Sequence, residues 1–324
     1  MMRLKSVNTL PNMWEETYEL VAQVPKGRVT TYGAVARALG DIVASRFVGL
    51  AMSKNEDIVR VPCRRVVQSD GYVGGYTGGG PEKKARLLRR EGLEVSGHMI
   101  KNLSDVLFTE FDTDHPLAGL RKRQRSLKRH LSTRRSKGIE AVVGIDIAYN
   151  GDHAFVAAVR FDPETGSEVG RSVSRGEAEF PYIPTYLAFR EIPLLRSAID
   201  FLEPNDVVMY DGNGILHPEG FGIASQIGVV FDIPTIGVAK KLLCGSVSRQ
   251  VTKGVREIVS NNRVMGYAIS KDSRTKPSYV SVGHRVSPDQ AIELAERLLQ
   301  YRVPEPTRAA HIVAESARRA QNQK

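Results

Sequence analysis

The stretch Val142-Val143-Gly144-Ile145-Asp146-Ile147 has the composition of a buried β-strand, apart from one carboxylate, Asp146. A carboxylate in a buried strand costs free energy unless it is paired or bound to a metal ion. A second apolar strand is predicted over residues 154–161, and the Asn150-Gly151-Asp152 turn between the two strands predicts a β-hairpin. A sheet-containing region therefore begins near residue 142.

Strand and helix patterns alternate from this hairpin toward the C-terminus. Short apolar strands are predicted over residues 207–210, 235–238, 264–269 and 279–282, and helices over residues 183–202, 221–230 and 288–300. This alternation predicts an α/β fold in which a mixed sheet has helices on its faces.

The N-terminal part is mainly helical in pattern. Helices are predicted over residues 13–24, 32–39 and 45–52. Thr31 is placed to cap the second helix, and two short helices around a glycine-containing turn are typical of helix-turn-helix DNA binding, although helical hairpins are common in general. We predict a helical domain over residues 1–95, a linker over 96–140 and an α/β domain over 141–324.

The chain of 324 residues has a formal net charge of +10, and its basic residues cluster in the predicted linker. Residues 119–138 contain nine Lys or Arg residues and no acid. Two interpretations stay open for this segment: a solvated helix, or an arm that contacts phosphates and releases their condensed counterions. Its basic residues are Arg121, Lys122, Arg123, Arg125, Lys128, Arg129, Arg134, Arg135 and Lys137.

The cysteine content and the hydropathy pattern favour a cytoplasmic protein without a membrane partner. Cys63 and Cys244 lie in different halves of the chain, and two such cysteines in a reducing compartment are not expected to form a disulfide. No apolar run approaches the roughly 20 residues that cross a bilayer.

Three carboxylates follow or interrupt apolar segments of the α/β region. Asp146 lies in the first strand, Glu191 in a predicted helix and Asp211 at the end of a strand. If they converge, they can bind Mg²⁺, which prefers oxygen ligands, activates water and stabilises the leaving oxygen of a phosphodiester. The alternative is structural: Asp146 accepts backbone hydrogen bonds, and Glu191 pairs with Arg190 or Arg196.

Several motifs occur in an order that resembles endonuclease V over residues 142–311. They are Pro181-Tyr182-Ile183-Pro184, Asp211-Gly212-Asn213-Gly214-Ile215-Leu216-His217-Pro218, Ile233-Pro234-Thr235-Ile236-Gly237-Val238-Ala239-Lys240 and Ser281-Val282-Gly283-His284. The resemblance implies a ribonuclease H-like fold. It also implies nicking of DNA one phosphodiester beyond the 3′ side of a deaminated base, chiefly hypoxanthine, with Mg²⁺ as cofactor and Mn²⁺ as a possible substitute.

The resemblance also implies roles for individual residues. Asp146, Glu191 and Asp211 match the metal-binding acids, His311 a late active-site histidine and Lys240 an active-site lysine, whose alternative is an ordinary strand-end lysine. Tyr182 matches a wedge that separates the lesion from its neighbour. The residues that match the lesion pocket are Gly212, His217, Gly222, Gly237, Ala239 and Leu243. Thr185 and Asn213 depart from the usual glycine and histidine, which leaves base preference open.

The segment Val61-Pro62-Cys63-Arg64-Arg65-Val66-Val67 resembles the active-site segment of alkylguanine-DNA alkyltransferases, a likeness that runs over residues 12–92. It implies a winged-helix-type domain in which Tyr32 and Arg46 extrude a guanine and Asn55 braces the active-site turn. Arg64 stands in place of the usual histidine base. Arginine cannot act as a base, but its charge favours a thiolate.

Two questions stay open at the level of sequence. The N-terminal domain either transfers an alkyl group from guanine to Cys63 or only senses alkylated DNA. The expected partner is DNA with deaminated or alkylated bases, and the alternative substrate of the nuclease is RNA that contains inosine.

Overall fold

The computed structural model describes residues 10–321, which form two compact units. We call residues 10–123 together with residues 180–186 the N-terminal unit. The C-terminal unit contains residues 124–179 and residues 187–321. Among the residues that the structure describes, no helix is both long enough and apolar enough to cross a membrane.

The N-terminal unit is mainly helical, as the sequence predicts. Its elements are α1 (Met13–Ala22), β1 (Thr30–Thr31), α2 (Tyr32–Ala38), α3 (Ser45–Lys54), β2 (Val66–Val67), α4 (Gly80–Arg90), β3 (Val95–Ser96), β4 (Met99–Ile100), α5 (Leu103–Val106) and the start of α6 (Pro116–Lys128). The Thr31 hydroxyl accepts a hydrogen bond from the Ala34 amide at 3.0 Å, which confirms the predicted cap of α2.

The C-terminal unit contains one nine-stranded sheet with helices on both faces. Its elements are β5 (Ala141–Asn150), β6 (His153–Phe161), β7 (Glu168–Glu177), α7 (Leu187–Glu191), α8 (Arg196–Asp200), β8 (Asp206–Asp211), α9 (Ile223–Phe231), β9 (Thr235–Ala239), β10 (Ser246–Thr252), β11 (Val255–Ser260), β12 (Arg263–Ile269), β13 (Ser278–His284), α10 (Pro288–Arg297) and α11 (Glu305–Gln321). The strand order is β10-β11-β12-β13-β9-β8-β5-β6-β7.

The sheet is mixed, which confirms the predicted fold class. Strands β5, β8 and β9 pair in parallel, and the other neighbours are antiparallel. The predicted hairpin is also present, because Asn150 pairs with His153 across the turn between β5 and β6. Alternate residues of β5 face opposite cores: Val142 packs with α10, and Val143 and Ile145 pack with α7 and α9.

Three secondary-structure predictions need correction. The helix predicted over residues 183–202 is broken into α7, a 3-10 turn (Ile192–Leu195) and α8, because Pro193 removes a backbone donor. Strands β7, β10 and β11 were not predicted: β7 and β10 are edge strands with largely polar, exposed residues, and β11 has too few apolar residues to form an apolar run. The helix predicted over residues 288–300 is present as α10, but α11, which follows it and packs against β5 and β6, was not predicted.

Candidate active sites

Two of the predicted acids are neighbours because β5 and β8 run parallel with matched register. Ile145 pairs with Tyr210, and Asp146 and Asp211 each follow these residues by one position. His311 reaches the same place from α11, and its Nδ1 lies 2.7 Å from Asp146 Oδ2. Ligand atoms of Asp146, Asp211 and His311 all lie within 4.8 Å of one another. This group, which we call the strand-end cluster, offers oxygen and nitrogen ligands to a divalent metal ion.

Glu191 lies at the end of α7 and is 8% exposed. The Tyr210 hydroxyl donates a hydrogen bond to Glu191 Oε2 at 2.6 Å. Burial raises the pKa of Glu191 to about 7, and the charges of Asp146 and Asp211 add to this rise, while the hydrogen bond from Tyr210 opposes it. Glu191 is therefore close enough to the strand-end cluster to respond to its charge, although the cluster itself does not include Glu191.

The electrostatics of the strand-end cluster favour a bound cation. Burial raises the pKa of Asp146, and the carboxylate of Asp211 raises it further, while His311 lowers it. Two neighbouring carboxylates repel each other when both are ionised. A metal ion that supplies positive charge between them stabilises the ionised pair. The residues present thus fit a hard divalent ion.

Lys240 follows β9 and approaches the cluster from the other side of β8. Its Nζ lies 2.6 Å from Asp211 Oδ2, and its side chain is 40% exposed. A partly exposed ammonium at this point can also contact an incoming phosphate oxygen. Arg190, a predicted alternative partner of Glu191, forms an ion pair with Asp152 at 3.2 Å.

The small residues assigned to the lesion pocket are packed against neighbouring backbone. A Cβ at Gly237 would lie 2.3 Å from the Gly214 amide nitrogen, and one at Gly222 would lie 2.2 Å from the Asn213 carbonyl oxygen. A Cβ at Gly212 would lie 2.5 Å from Ile223 Cγ2. Close packing therefore already requires these glycines, and their part in base recognition stays a prediction.

The other residues of the predicted pocket differ in exposure. Ala239 is 7% exposed and Leu243 is 52% exposed. His217 Nδ1 accepts a hydrogen bond from the Glu219 amide at 3.2 Å. Asn213 Oδ1 is buried and has no hydrogen-bond partner among residues 10–321.

Tyr182 lies in the segment 180–186 of the N-terminal unit and is 62% exposed. Its neighbours Phe180 and Ile183 are buried, so the exposed ring extends from a loop that is anchored on both sides of Tyr182. Thr185 has a φ of 68°, a left-handed conformation that glycine adopts more easily. This backbone conformation explains why glycine is the usual residue at position 185, whereas the sequence analysis related Thr185 to base preference.

Cys63 lies at the start of a 3-10 turn in the N-terminal unit and is 4% exposed. It lines a cavity of about 370 Å³ together with Tyr32, Met52 and Tyr76. Asn55 Nδ2 donates a hydrogen bond to the Val61 carbonyl at 2.9 Å, so Asn55 does brace the turn before Cys63. A cavity of this size is sufficient for a small ligand.

Arg64 and Arg65 both form ion pairs with Glu91. The Nε atoms of Arg64 and Arg65 lie 2.6 and 2.7 Å from the two carboxylate oxygens of Glu91. Burial alone would raise the pKa of Glu91, but the hydrogen bonds from Arg65 and Arg64 lower it. Arg46 is exposed on α3, where it can meet DNA.

Sequence reasoning missed Lys84, a lysine that is only 1% exposed. Its Nζ donates hydrogen bonds to the carbonyls of Val66 at 2.7 Å and Gly75 at 3.3 Å. Burial lowers the pKa of Lys84 to about 8, while the charge of Cys63 raises it. Its position four residues before Leu88, on the buried face of α4, was the available signal.

The fold and these two sites define an enzyme with two parts: a metal-binding nuclease unit and a helical unit with a buried cysteine. Residues 122–312 match the family model of endonuclease V, and residues 12–93 match that of the 6-O-methylguanine DNA methyltransferase DNA-binding domain. A bifunctional methyltransferase/endonuclease of Picrophilus torridus is 34% identical over 93% of this chain and 95% of its own. The chain therefore belongs to the endonuclease V family and, over nearly its full length, to the bifunctional methyltransferase/endonucleases.

Solved structures support the same assignment for the nuclease part. Endonuclease V of Streptomyces avermitilis has a TM-score of 0.58 and 35% identity, covering 63% of this chain and 93% of its own. Endonuclease V of Ciona intestinalis, solved with a 24mer DNA that contains an inosine followed by a ribo-adenosine, has a TM-score of 0.58 and 25% identity. That match covers 64% of this chain and 99% of the other. Both resemblances seen in the sequence are thus confirmed.

Proposed function

We propose that the C-terminal unit nicks DNA on the 3′ side of deoxyinosine, one phosphodiester beyond the lesion. The observation that carries this proposal is the strand-end cluster, whose ligand atoms lie within 4.8 Å of one another. Asp146 and Asp211 of this cluster, together with Glu191, would hold Mg²⁺, for which Mn²⁺ can substitute. The inosine-containing DNA bound by the Ciona relative supports this choice of substrate.

Each residue of the site has a proposed task. When bound, the metal ion would supply Lewis-acid stabilisation of the scissile phosphate and would lower the pKa of a bound water. His311, hydrogen-bonded to Asp146, is placed to accept a proton, and Tyr210 orients the carboxylate of Glu191. Lys240 neutralises Asp211 in the free enzyme and is available to a phosphate oxygen when DNA binds.

Recognition of the lesion is proposed for two sets of residues. Tyr182 enters the stack of DNA bases as a wedge, since its exposed ring extends from a loop whose neighbouring side chains are buried. Reading of the extruded base is assigned to the backbone and side chains of Gly212, His217, Gly222, Gly237, Ala239 and Leu243. The buried, unpartnered Oδ1 of Asn213 supports a polar contact with the base there.

A labelled duplex with one deoxyinosine tests the nuclease proposal. We expect nicking with Mg²⁺ or Mn²⁺, none with EDTA and none by Asp146→Ala. Asp200→Asn, which removes an exposed acid from α8, is the matched control and should nick like the wild type. An inosine-containing RNA run in parallel decides between the two nucleic acids. A folded protein that binds the duplex but cuts neither substrate would contradict the proposal.

For the N-terminal unit, we propose transfer of an alkyl group from O6-alkylguanine to Cys63. The Cys63 thiolate would form a carbon–sulfur bond while the carbon–O6 bond breaks, and the leaving guanine would take up a proton. The cavity beside Cys63 and the buried cation of Lys84 support this chemistry. We also propose that residues 1–95 and 141–324 are the functional domains, joined by residues 96–140.

Mass spectrometry of the protein after exposure to O6-methylguanine DNA tests the transfer. We expect one added methyl group on Cys63, its loss in Cys63→Ser and its retention in Cys244→Ser. Arg64→His, which returns a base beside Glu91, should react roughly tenfold faster or more. Tight binding of the alkylated duplex without any transfer would instead assign the domain to damage sensing.

The two cysteines support the proposal that the enzyme acts in the cytoplasm. Both Cys63 and Cys244 are free thiols, which persist in a reducing compartment.

A further inference from the structure

The segment that carries Tyr182 is packed within the N-terminal unit. Residues 180–186 lie inside the endonuclease V match of residues 122–312, yet they form one compact unit with residues 10–123. A segment of the nuclease sequence is therefore supported by residues of the alkyltransferase-type sequence.

Tyr186 is the anchor of this segment. It is fully buried, and its hydroxyl donates a hydrogen bond to Asp41 Oδ2 at 2.8 Å and a longer one to the Leu117 carbonyl at 3.3 Å. Asp41 is itself held in place, because its Oδ1 accepts a hydrogen bond from the Val43 amide at 3.2 Å. The anchor therefore rests on a carboxylate that the backbone already orients.

Arg121 completes the anchor. Its Nη2 donates hydrogen bonds to Asp41 Oδ2 at 2.9 Å and to Thr185 Oγ1 at 2.6 Å. The Arg121 guanidinium also lies over the Tyr186 ring, 4.3 Å from its centroid. Burial would raise the pKa of Asp41, but the hydrogen bonds from Arg121 and Tyr186 lower it, so the carboxylate stays charged at neutral pH.

The hydrogen bond to Thr185 acts on a strained point of the chain. Thr185 has a φ of 68°, which costs free energy in a β-branched residue unless its surroundings hold it. Arg121 supplies such a contact at Thr185, which lies three residues after Tyr182 in the sequence. Two side chains of the loop, Thr185 and Tyr186, are thus both held by the Asp41–Arg121 pair.

We propose that Asp41 and Arg121 are positioning residues for the Tyr182 loop, so that the N-terminal unit of the chain keeps the wedge of the nuclease ready to enter DNA. The inference rests on the proposed function of Tyr182. A wedge has to resist the few kcal/mol of stacking that oppose base extrusion. If the loop that carries Tyr182 could deform, contact with the DNA would distort the loop and would not separate the stacked bases.

The experiment compares Arg121→Gln and Asp41→Asn with Tyr182→Ala under single-turnover conditions, on duplex and on single-stranded DNA with one deoxyinosine. Loss of charge-assisted hydrogen bonds should slow duplex nicking by roughly tenfold or more. Single-stranded nicking should change much less, because no partner strand has to be displaced. Arg121→Lys, which keeps the charge but not the fork of donors, should be intermediate.

Two further measurements separate positioning from general damage to the fold. The double variant Arg121→Gln/Tyr182→Ala should be no slower than Tyr182→Ala alone, because both changes remove the same wedge. Fluorescence of a 2-aminopurine next to the deoxyinosine, recorded without divalent metal, should show less base extrusion with Arg121→Gln than with the wild type. Glu15→Gln, which breaks the exposed pair of Glu15 with Arg60 in the same unit, is the control.

The outcomes can be told apart from a failure of the proposed function. If the wild type does not nick deoxyinosine DNA, or Tyr182→Ala is fully active, the nuclease or wedge assignment fails. If Tyr182→Ala is slow but Arg121→Gln nicks duplex like the wild type, the positioning role is overturned. Equal slowing on both substrates, or additive effects in the double variant, would overturn it as well.

Discussion

Glu191 shows how the proposed metal centre would depend on residues that bind no metal. Its carboxylate is 8% exposed and accepts a hydrogen bond from Tyr210, which follows Met209 on β8 and precedes Asp211. The same strand therefore supplies one acid of the site and orients another. Residues that hold metal-binding groups in this way usually tune the affinity of the site.

Tyr210→Phe should weaken the apparent affinity for Mg²⁺ by about 10–100-fold, because Glu191 loses the hydrogen bond that orients it. The measurement is the nicking rate as a function of Mg²⁺ concentration. Saturating Mg²⁺ should restore most of the rate. Tyr267→Phe, a change of the same size on β12, should leave the titration unaltered. An unchanged Mg²⁺ dependence in Tyr210→Phe would show that Glu191 needs no such support.

Lys84 makes the stability of the N-terminal unit depend on pH. Burial lowers its pKa from the usual 10.5 to about 8. Below pH 8 the folded and unfolded states both hold the proton. Between about pH 8 and 10.5 only the unfolded state holds it, so this lysine increases stability as pH rises.

The comparison uses two proteins that both carry Cys63→Ser, one with Lys84 and one with Lys84→Met. The free energy of unfolding of the protein with Lys84, minus that of the protein with Lys84→Met, should therefore rise by up to ~3 kcal/mol between pH 8 and 10.5. Thermal unfolding at several pH values measures it. Lys83→Met, the same substitution at the exposed neighbour, serves as the control for the loss of a lysine side chain. A flat difference for Lys84→Met would mean that Lys84 keeps its usual pKa.

At the scale of elements, the site depends on how closely α11 crosses β5. A Cβ on Gly144 would lie 1.9 Å from the Pro306 carbonyl oxygen, in the first turn of α11. Glycine therefore lets the helix approach the strand, and that approach brings His311 to Asp146. The parallel pairing of β5 and β8 supplies the second acid without any such close contact.

Gly144→Ala should displace the start of α11, which would cost about 1–3 kcal/mol of stability and slow nicking as His311 moves from Asp146. Thermal unfolding and the deoxyinosine assay measure the two effects. Gly170→Ala on β7 is the control, because its Cβ would meet Phe201 Cζ at an ordinary 3.5 Å. Full stability and activity in Gly144→Ala would show that the helix can shift without consequence.

At the scale of the whole molecule, the charge of +10 is concentrated around residues 119–138. Part of this segment forms α6, and several of its cations have protein partners, including Arg121 with Asp41 and Lys128 with the Glu219 carbonyl. Others are exposed side chains that can contact phosphate: Lys122, Arg129, Arg134 and Lys137.

Replacing these four exposed residues with glutamine should weaken binding to undamaged duplex DNA. The slope of log affinity against log salt should become shallower by about 1 for each phosphate that the segment no longer neutralises. Titrations at several salt concentrations measure it. A control with the same change in net charge replaces Lys253, Arg256, Arg274 and Lys276. Equal affinities and slopes in the two variants would assign the segment to a solvated surface.

Reading the amino-acid sequence was enough to predict the mixed sheet, the helical first region, both family resemblances and the strand-end acids. These features depend on local patterns: apolar runs of strand length, a carboxylate at the end of a run, and motifs in a fixed order. Asp146 and Asp211 could be predicted to meet because the ends of neighbouring parallel strands meet at one sheet edge.

The remaining features became visible only in the folded chain. His311 meets Asp146 across 165 residues of sequence, and Tyr186 meets Asp41 across 145. Lys84 is buried although its residue type favours water, and Gly144 matters because of a helix more than 160 positions away. Such contacts depend on how elements pack after they form. The periodicity of a segment reports which of its faces is buried, but not which distant residue covers that face.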